Sequence, residues 1–560
     1  MKNHPVAQIL YKIADLLEIQ EVEFKPRAFR KAAMNIESLE QPIEEIARNN
    51  QLQEIPGVGE GIEKKIIEIL QTGTCKEYEK LKKQVPVNFE ELKKVEGLGP
   101  KKIKSLYNKL HIRNLKDLES AIKKGKLQDL ENFGEKTQEN LKRALTFTKS
   151  STRFLLPDAY NAAYELKKYL EKKAERVEIA GSLRRFKESI GDIDILVIGK
   201  PEIADYFTKY KDVKAVLSKG PTRSSVILNN NLQADIRIIP KQSWGAALNY
   251  FTGSKEHNIA LRKLALKHKW KLSEYGLFQK NKQIAGKTEE ELYKKLGLNY
   301  IAAELRENQG EIEASHNHNL PQMIELKDIK ADFHLHTNYS DGSSSIKEMA
   351  DSAQKLGYKT IAITDHYGSL AIANSMNSKR IRKQWLEIDR LNKKSKIRIL
   401  KGAEINIKLD GTLDAENEIL QKLDIVIASI HSGLKNNVTE RIIKAMENKY
   451  VNIIAHPSGR LINKREPANL DYQKLFDKSR KTGTILEINS SPERLDLEGM
   501  QVKNAVENSC LLAINTDAHS ISSLQSMKFG VGVARRGWCE KKNIINTFDF
   551  KKLIKLLEKK

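Results

Sequence analysis

Cysteine is nearly missing from this chain: Cys75, Cys510 and Cys539 are the only three in 560 residues. They are too few and too far apart for a disulfide framework or a Cys-x-x-Cys metal site, and a reducing interior suits them. Long apolar runs are missing too. No stretch approaches the roughly 18 residues that a membrane-spanning helix needs, and the start, Met1-Lys2-Asn3-His4-Pro5, leads into an amphipathic helical pattern of Ile9, Ile13, Leu16 and Leu17. A soluble cytoplasmic chain with no membrane partner is expected. Nor is there a basic tail: 97 Lys and Arg against 73 Asp and Glu give a formal charge of +24 that is spread along the chain. Such a balance favours a polyanionic partner. The length exceeds one core, and about one domain per 150 residues implies roughly four.

The apolar rhythm changes along the chain. Up to about residue 150 it is helical, broken by short glycine turns, with no convincing strand. Between about 176 and 240, β-rich runs appear at Val177 to Ala180, Asp194 to Ile198, Ser225 to Leu228 and Asp235 to Ile239, and helical patterns return at 256 to 270. Residues 302 to 330 are mostly polar and read as a linker, His316 and His318 included. Beyond 330, strand runs alternate with helices: Thr360-Ile-Ala-Ile, Ile397-Arg-Ile-Leu, Asp424-Ile-Val-Ile-Ala, Val451-Asn-Ile-Ile-Ala, Thr484-Ile-Leu-Glu-Ile and Leu511-Leu-Ala-Ile. Repeated β-α units imply a parallel sheet, open or closed.

Two carboxylates state a reaction class. Residues 181 to 196 read Gly-Ser-Leu-Arg-Arg-Phe-Lys-Glu-Ser-Ile-Gly-Asp-Ile-Asp-Ile-Leu, a phosphate-holding turn followed by Asp192 and Asp194 in a strand. Alternate strand side chains share a face, so both carboxylates can reach a pair of divalent ions about 4 Å apart, the arrangement used for in-line phosphoryl displacement. Ile193 and Ile195 then point into a core.

The helical front repeats a motif, hydrophobic-x-Gly-hydrophobic-Gly: Ile55-Pro56-Gly57-Val58-Gly59, Val95-Glu96-Gly97-Leu98-Gly99, and an imperfect Leu130-Glu131-Asn132-Phe133-Gly134. Each opens a Lys-rich helix. Glycine admits the tight turn and the approach of a phosphate, so these look like helix-hairpin-helix motifs that grip a nucleic-acid backbone without reading bases. Before them, Phe24-Lys25-Pro26-Arg27-Ala28-Phe29-Arg30-Lys31 sets four cations around aromatic rings.

In this order, the basic stretch, the first hairpin motif and the Gly-Ser…Asp-x-Asp signature resemble family X DNA polymerases, and the similarity continues through residue 300. The resemblance implies that Lys25, Phe29 and Lys31 grip the 5′-phosphate side of a gap. Lys65 matches the lysine that forms a Schiff base in lyase-active members, with Lys64 helping to lower its pKa; phosphate binding is its alternative role, and Gly61 stands where some of those members carry a helper lysine. Gln233-Ala234-Asp235-Ile236-Arg237-Ile238 supplies a third carboxylate, Asp235, and the cluster of Asp192, Asp194 and Asp235 is expected to hold Mg²⁺ or Mn²⁺. Gly181, Ser182, Arg185 and Gly191 match the dNTP triphosphate cradle. The family's serine before Gly191 is Ile190 here, which removes one phosphate contact. Tyr250, Phe251 and Gly253 match the lining of the nucleotide sugar, and Asn258 and Arg262 match positions facing the nascent pair and template.

All six histidines after residue 330 fall at or just beyond an expected strand: His334, His336, His366, His431, His456 and His519. Asp341, Glu404 and Asp517 accompany them. Catalytic groups of β/α barrels converge at strand C-termini, so these nine can line one pocket, and imidazole with carboxylate suits Zn²⁺, Mn²⁺ or Fe²⁺. The pattern resembles the polymerase and histidinol phosphatase, or PHP, domain, a distorted barrel of seven β/α units that binds up to three ions. The expected organisation is a helical 5′-phosphate-binding domain at 1–82, a second helical DNA-binding domain at 83–150, an α+β nucleotidyltransferase palm at 151–245, a nucleotide-selecting thumb at 246–314, a linker at 315–330 and the PHP domain at 331–560. The resemblance implies a monomeric DNA-directed polymerase that fills short gaps in base excision repair or end joining. Its second site would give Mn²⁺-dependent 3′-5′ exonuclease and AP endonuclease or 3′-end-processing activity on gapped or primer-template DNA. Two other readings stand beside it: a DNA-end phosphoesterase whose front half only binds DNA, and a repair scaffold.

Overall fold

Apolar side chains at helical spacing build the front of the chain. In the computed structural model, α1 (Asn3–Ile19) buries Val6, Leu10, Ile13 and Leu17 against α2 (Lys25–Glu37), whose inner face is Phe29, Ala32, Ala33 and Ile36. Next, α3 (Glu60–Thr72) buries Ile62, Ile66 and Ile69, carries Glu60 and Glu63 in its first turn where the helix dipole favours anions, and stops at Gly73 with φ +78°. Ile103 and Leu106 are the buried side of α4 (Pro100–Leu110). The structure describes residues 3–558 apart from 21, 38, 40, 85, 86, 93, 94, 96, 97, 99, 128, 129, 131, 132, 134–140 and 142–152. Among the described residues before Phe154 there is no strand. By contacts the chain forms two units, Met1–Ser151 with Gly199–Ile238 and Ile259–Lys271, and Thr152–Ile198 with Ile239–Asn258 and Leu272–Lys560.

Besides a two-stranded pair of Phe154–Leu155 with Ser189–Ile190, a five-stranded sheet follows: β1 (Arg176–Ile179), β2 (Asp192–Ile198), β3 (Val213–Lys219), β4 (Arg223–Leu228) and β5 (Gln233–Ile238), in sheet order β1-β2-β5-β4-β3. The short helix α5 (Gly181–Arg184) lies between β1 and β2 in sequence. Ile193 and Ile195 are buried, and Leu196 and Ile198 join Ala180 in a core with Trp244, Ala247 and Leu248 of α6 (Trp244–Thr252). After α7 (Lys255–Lys267), strands β6 (Trp270–Ser273), β7 (Gly276–Gln279) and β8 (Lys282–Ala285) form a small three-stranded sheet. Neither this sheet nor β3 is legible as strand in the sequence, because lysine and glutamine interrupt their apolar alternation.

The stretch 302–330 differs from its reading as a linker. It contains α8 (Glu311–His316), and Arg306 and Glu311 are fully buried. Part of its polarity is buried and paired: Arg306 meets Glu289 at 2.6 Å, and Glu311 meets His257 Nδ1 at 2.6 Å, while His316 to Asn319 are exposed. A paired buried charge leaves the same compositional trace as a solvated one.

The rear of the chain is a parallel barrel: β9 (Ala331–Leu335), β10 (Thr360–Ile363), β11 (His366–Tyr367), β12 (Arg398–Asn406), β13 (Ile425–Ser429), β14 (Ile453–Ile454), β15 (Ile485–Asn489) and β16 (Leu512–Asn515). The ring runs β9-β10-β12-β13-β14-β15-β16, with β11 a short extension beside β12. A parallel bridge between Leu335 and Ala518 and a 2.9 Å bond from His336 N–H to the Ala518 carbonyl draw the two edges together. Phe333, Leu400, Ile427, Ile453 and Ile485 fill the interior with Leu553 and Leu557 of the C-terminal helix. The helix α9 (Met527–Arg536) lies against β15 and β16.

Two candidate metal centres

Asp192 opens β2 and Asp194 follows two residues later, on the same face; Asp235 sits in β5. One carboxylate oxygen from each lies within 4.8 Å of the other two. Asp235 is 7 % exposed and both its oxygens are engaged, Oδ2 by Arg223 and Oδ1 by Gln233, each at 3.2 Å. Gly181 lies against Asp194. Its φ is +63°, and a Cβ there would lie 2.3 Å from Asp194 Oδ2, so the position excludes any side chain on two counts. Hard oxygen donors at this spacing suit Mg²⁺ or Mn²⁺.

The remaining expected nucleotide contacts have varied placements. Ser182 is half-buried and Gly191 exposed, while Ile190 is a core residue. Arg185 is tied down: its Nε meets Glu307 Oε1 at 2.9 Å and its Nη1 donates to the Thr252 carbonyl. Arg184 forms a bidentate pair with Glu289 at 2.9 and 2.7 Å. Tyr250 is exposed with Phe251 edge-on to it at 5.1 Å, and Asn258 donates to the Tyr250 carbonyl at 2.7 Å. Gly253 has φ +72° and faces Arg185 Nη1. Arg262 is half-buried on α7.

In the helical front, Gly57 has φ +91° and its bare Cα lies against the Lys31 stem, while Gly59 precedes the first residue of α3. Lys25 and Lys31 are exposed. Phe29 corrects an expectation: it is 4 % exposed, within the core, and offers its ring to Lys65 Nζ at 5.8 Å instead of to solvent. Lys65 also pairs with Glu77 and donates to the Gly61 carbonyl, at 2.7 and 2.8 Å, and Lys64 pairs with Glu60. Gly97 and Gly99, with Asn132 and Gly134 of the third motif, lie outside the described residues.

At the barrel's C-terminal rim the nine expected side chains meet around three acids. Glu404 lies within 3.1 to 3.5 Å of His334, His336, His366, His431 and His456. Asp341 lies 3.4 to 3.7 Å from His336, His366 and His519, and Asp517 3.3 Å from His336 and 3.6 Å from His334. Two of the rim residues are held at left-handed backbone angles, His456 at φ +29° and Asp517 at φ +53°, strain of the kind that concentrates at functional sites. Burial alone would raise the Glu404 and Asp517 carboxyls, yet the imidazoles around them hold both well below the usual range. Burial with the nearby His519 pushes His336 down to about 3, while His519, beside Asp341, rises to about 9 despite its burial. His334 Nε2, both His336 nitrogens and His456 Nδ1 are buried without a hydrogen-bond partner. Ring nitrogens left unpartnered in a buried pocket fit divalent-metal ligation.

A supporting layer escaped sequence reasoning. Glu487, fully buried in β15, accepts from His334 Nδ1 at 2.8 Å and from Asn489, Asn515 and the His456 N–H. Asn489 also donates to Asp517 Oδ2 at 3.1 Å. The one visible signal was an acid inside the apolar run Thr484-Ile-Leu-Glu-Ile.

Family models match along the chain: a helix-hairpin-helix domain over 1–75, a SAM-like helix-hairpin-helix tandem over 89–146, the DNA polymerase beta thumb over 247–307 and the PHP domain over 332–491. Across 98 % of its length the chain is 38 % identical to the DNA polymerase/3′-5′ exonuclease PolX of Bacillus subtilis, also covering 98 % of that protein. Part of the chain is also similar to probable phosphatases: one of Thermoanaerobacter sp., 30 % identical over 41 % of this chain and 94 % of that one, and one of Syntrophotalea carbinolica, 34 % identical over 29 % and 66 %. Full-length similarity to a PolX, joined with the hairpin, thumb and PHP matches and the acid and histidine clusters they bracket, makes this chain a member of the family X DNA polymerases that carry a C-terminal PHP domain.

Proposed function

We propose that the chain extends DNA 3′ ends at short gaps with dNTPs, in base excision repair or end joining, and degrades or trims 3′ ends at its PHP site, abasic sites included. The observation that carries the reading is the pair of donor clusters of different chemistry, three carboxylates in one and six imidazoles with three acids in the other. Asp192, Asp194 and Asp235 would hold Mg²⁺ or Mn²⁺. The nine rim residues would hold up to three ions of Mn²⁺, Zn²⁺ or Fe²⁺. When bound, such ions neutralise charge on phosphate oxygens and lower the pKa of a nucleophilic water or hydroxyl.

The chain's own residues prepare both sites. Arg223 and Gln233 orient Asp235 from either side, so that its carboxylate does not turn freely. Glu487, by accepting the Nδ1 proton of His334, fixes the tautomer that leaves Nε2 as a lone pair. Lys25 and Lys31, exposed on α2 with Lys31 beside the Gly57 turn, suit a 5′-phosphate, and Lys65 fits either a lyase or a phosphate-binding role. Among the described residues no helix is long and apolar enough to cross a membrane. We take the working form to be a cytoplasmic monomer.

Gapped duplex with Mn²⁺ tests the assignment by following primer extension and degradation together. Asp192→Ala is expected to abolish extension and leave degradation; His456→Ala is expected to do the reverse. Extension by Asp192→Ala at the wild-type rate would sink the polymerase site, and undiminished degradation by His456→Ala would sink the PHP site.

A further inference from the structure

The turn that follows Gly181 is clamped by the barrel. Phe186, at φ +53°, lays its ring where a Cβ on Gly532 of α9 would sit, at 2.2 Å. Beside it Tyr160 meets Phe529 edge-on at 5.7 Å, with Lys528 Nζ over both rings. The last residue of α9, Arg536, is 7 % exposed and donates to the Arg185 carbonyl at 3.0 Å and to Glu307 Oε1 at 2.9 Å; its Nε lies 3.6 Å from Glu188. Glu188 in turn accepts from the Gly499 N–H at 3.2 Å. Glu307 Oε1 therefore takes two guanidinium groups, Arg536 from the barrel and Arg185 from the turn.

The geometry is that of a relay. Arg185 is fixed by two acceptors, the Thr252 carbonyl and Glu307. A carboxylate that is only 13 % exposed is steady when its charge is balanced and its rotamer held, and Arg536 does both from the far side. From this we propose that Arg536 is a positioning residue for polymerisation: held by the PHP barrel, it sets Glu307, and through Glu307 the orientation of Arg185 at the nucleotide site. The barrel is then a structural part of the polymerase as well as the carrier of a second activity. This rests on the assignment of Arg185 to the triphosphate.

The test is single-nucleotide gap filling by the full-length chain, with KM for dNTP and kcat measured separately and degradation of single-stranded 3′ ends followed on the same preparations. Arg536→Ala is expected to raise the KM for dNTP about tenfold or more, the scale of a lost charge-assisted hydrogen bond, with kcat and 3′-end degradation little changed. Arg536→Lys should recover part of the loss. Because the effect runs through Arg185, Arg185→Ala with Arg536→Ala should be no worse than Arg185→Ala alone. An unchanged KM in Arg536→Ala, additive losses in the double variant, or equal loss of both activities in the alanine and lysine variants would each overturn the proposal. Asp192→Ala run in parallel separates this from failure of the polymerase assignment: if that variant still extends, the site itself is misassigned and the relay falls with it.

Discussion

At the scale of single residues, the polymerase cluster depends on an atom that is missing. Gly181 combines a left-handed φ with a gap too small for a methyl group in front of Asp194. An alanine there must push Asp194 aside or reopen the turn, and a shift of about 1 Å at reacting groups costs on the order of 10²-fold in rate. Gly181→Ala should therefore lower extension by about that factor, leave the barrel's 3′-end degradation intact, and change overall melting little. Wild-type extension by this variant would mean that the turn and Asp194 yield without consequence. The sequence marks Gly181 as a tight-turn glycine; its contact with Asp194 is not legible there, because nothing local records which strand faces the turn. Glu487 illustrates the same limit, since a lone acid in an apolar strand does not name the histidine it holds 153 residues away.

At the scale of elements, strands were legible where both faces are buried. Thr360 to Ile363 matches β10 because an inner barrel strand is apolar throughout. The strands β3 and β6 to β8 were hidden by exposed lysines and glutamines, and the ordered part of 302–330 by the buried ion pairs of Arg306 and Glu311. That network has a pH signature. Burial opposes ionisation of Glu289, but Arg306 and Arg184 outweigh it and hold its carboxyl down to about 2. A carboxylate depressed in the folded state contributes stability that is fully present above its unfolded pKa, about 4.3, and is lost as pH falls through the folded value. The stability difference between wild type and Glu289→Gln should thus be constant from neutral pH down to about 5 and shrink between about 4 and 2. Denaturant melts followed by near-ultraviolet circular dichroism measure it, and a difference that stays constant down to pH 2 would show that the pair is not what holds this region.

At the scale of the whole molecule, the charge excess of +24 has to act at a distance as well as in contact. The first hairpin turn offers backbone at Gly57 and α2 offers the exposed Lys25 and Lys31, groups suited to phosphate, so affinity should come from displaced counterions. Each neutralised phosphate contributes a slope of about −0.9 in log K against log salt, so a footprint of about six contacts loses roughly 10³ in affinity between about 50 and 200 mM salt. Anisotropy of a labelled gapped duplex across that range is expected to show this steep, linear fall. Lys31→Ala should make the slope shallower by about one and weaken binding by a similar factor on unrelated sequences. Arg536, buried between Glu307 and Glu188, should leave the slope untouched when replaced by alanine. A flat response in the wild type would assign the charge to solubility and leave the hairpin turns as helix caps; a slope that changes with Arg536 but not with Lys31 would move the DNA from the helical front to the barrel.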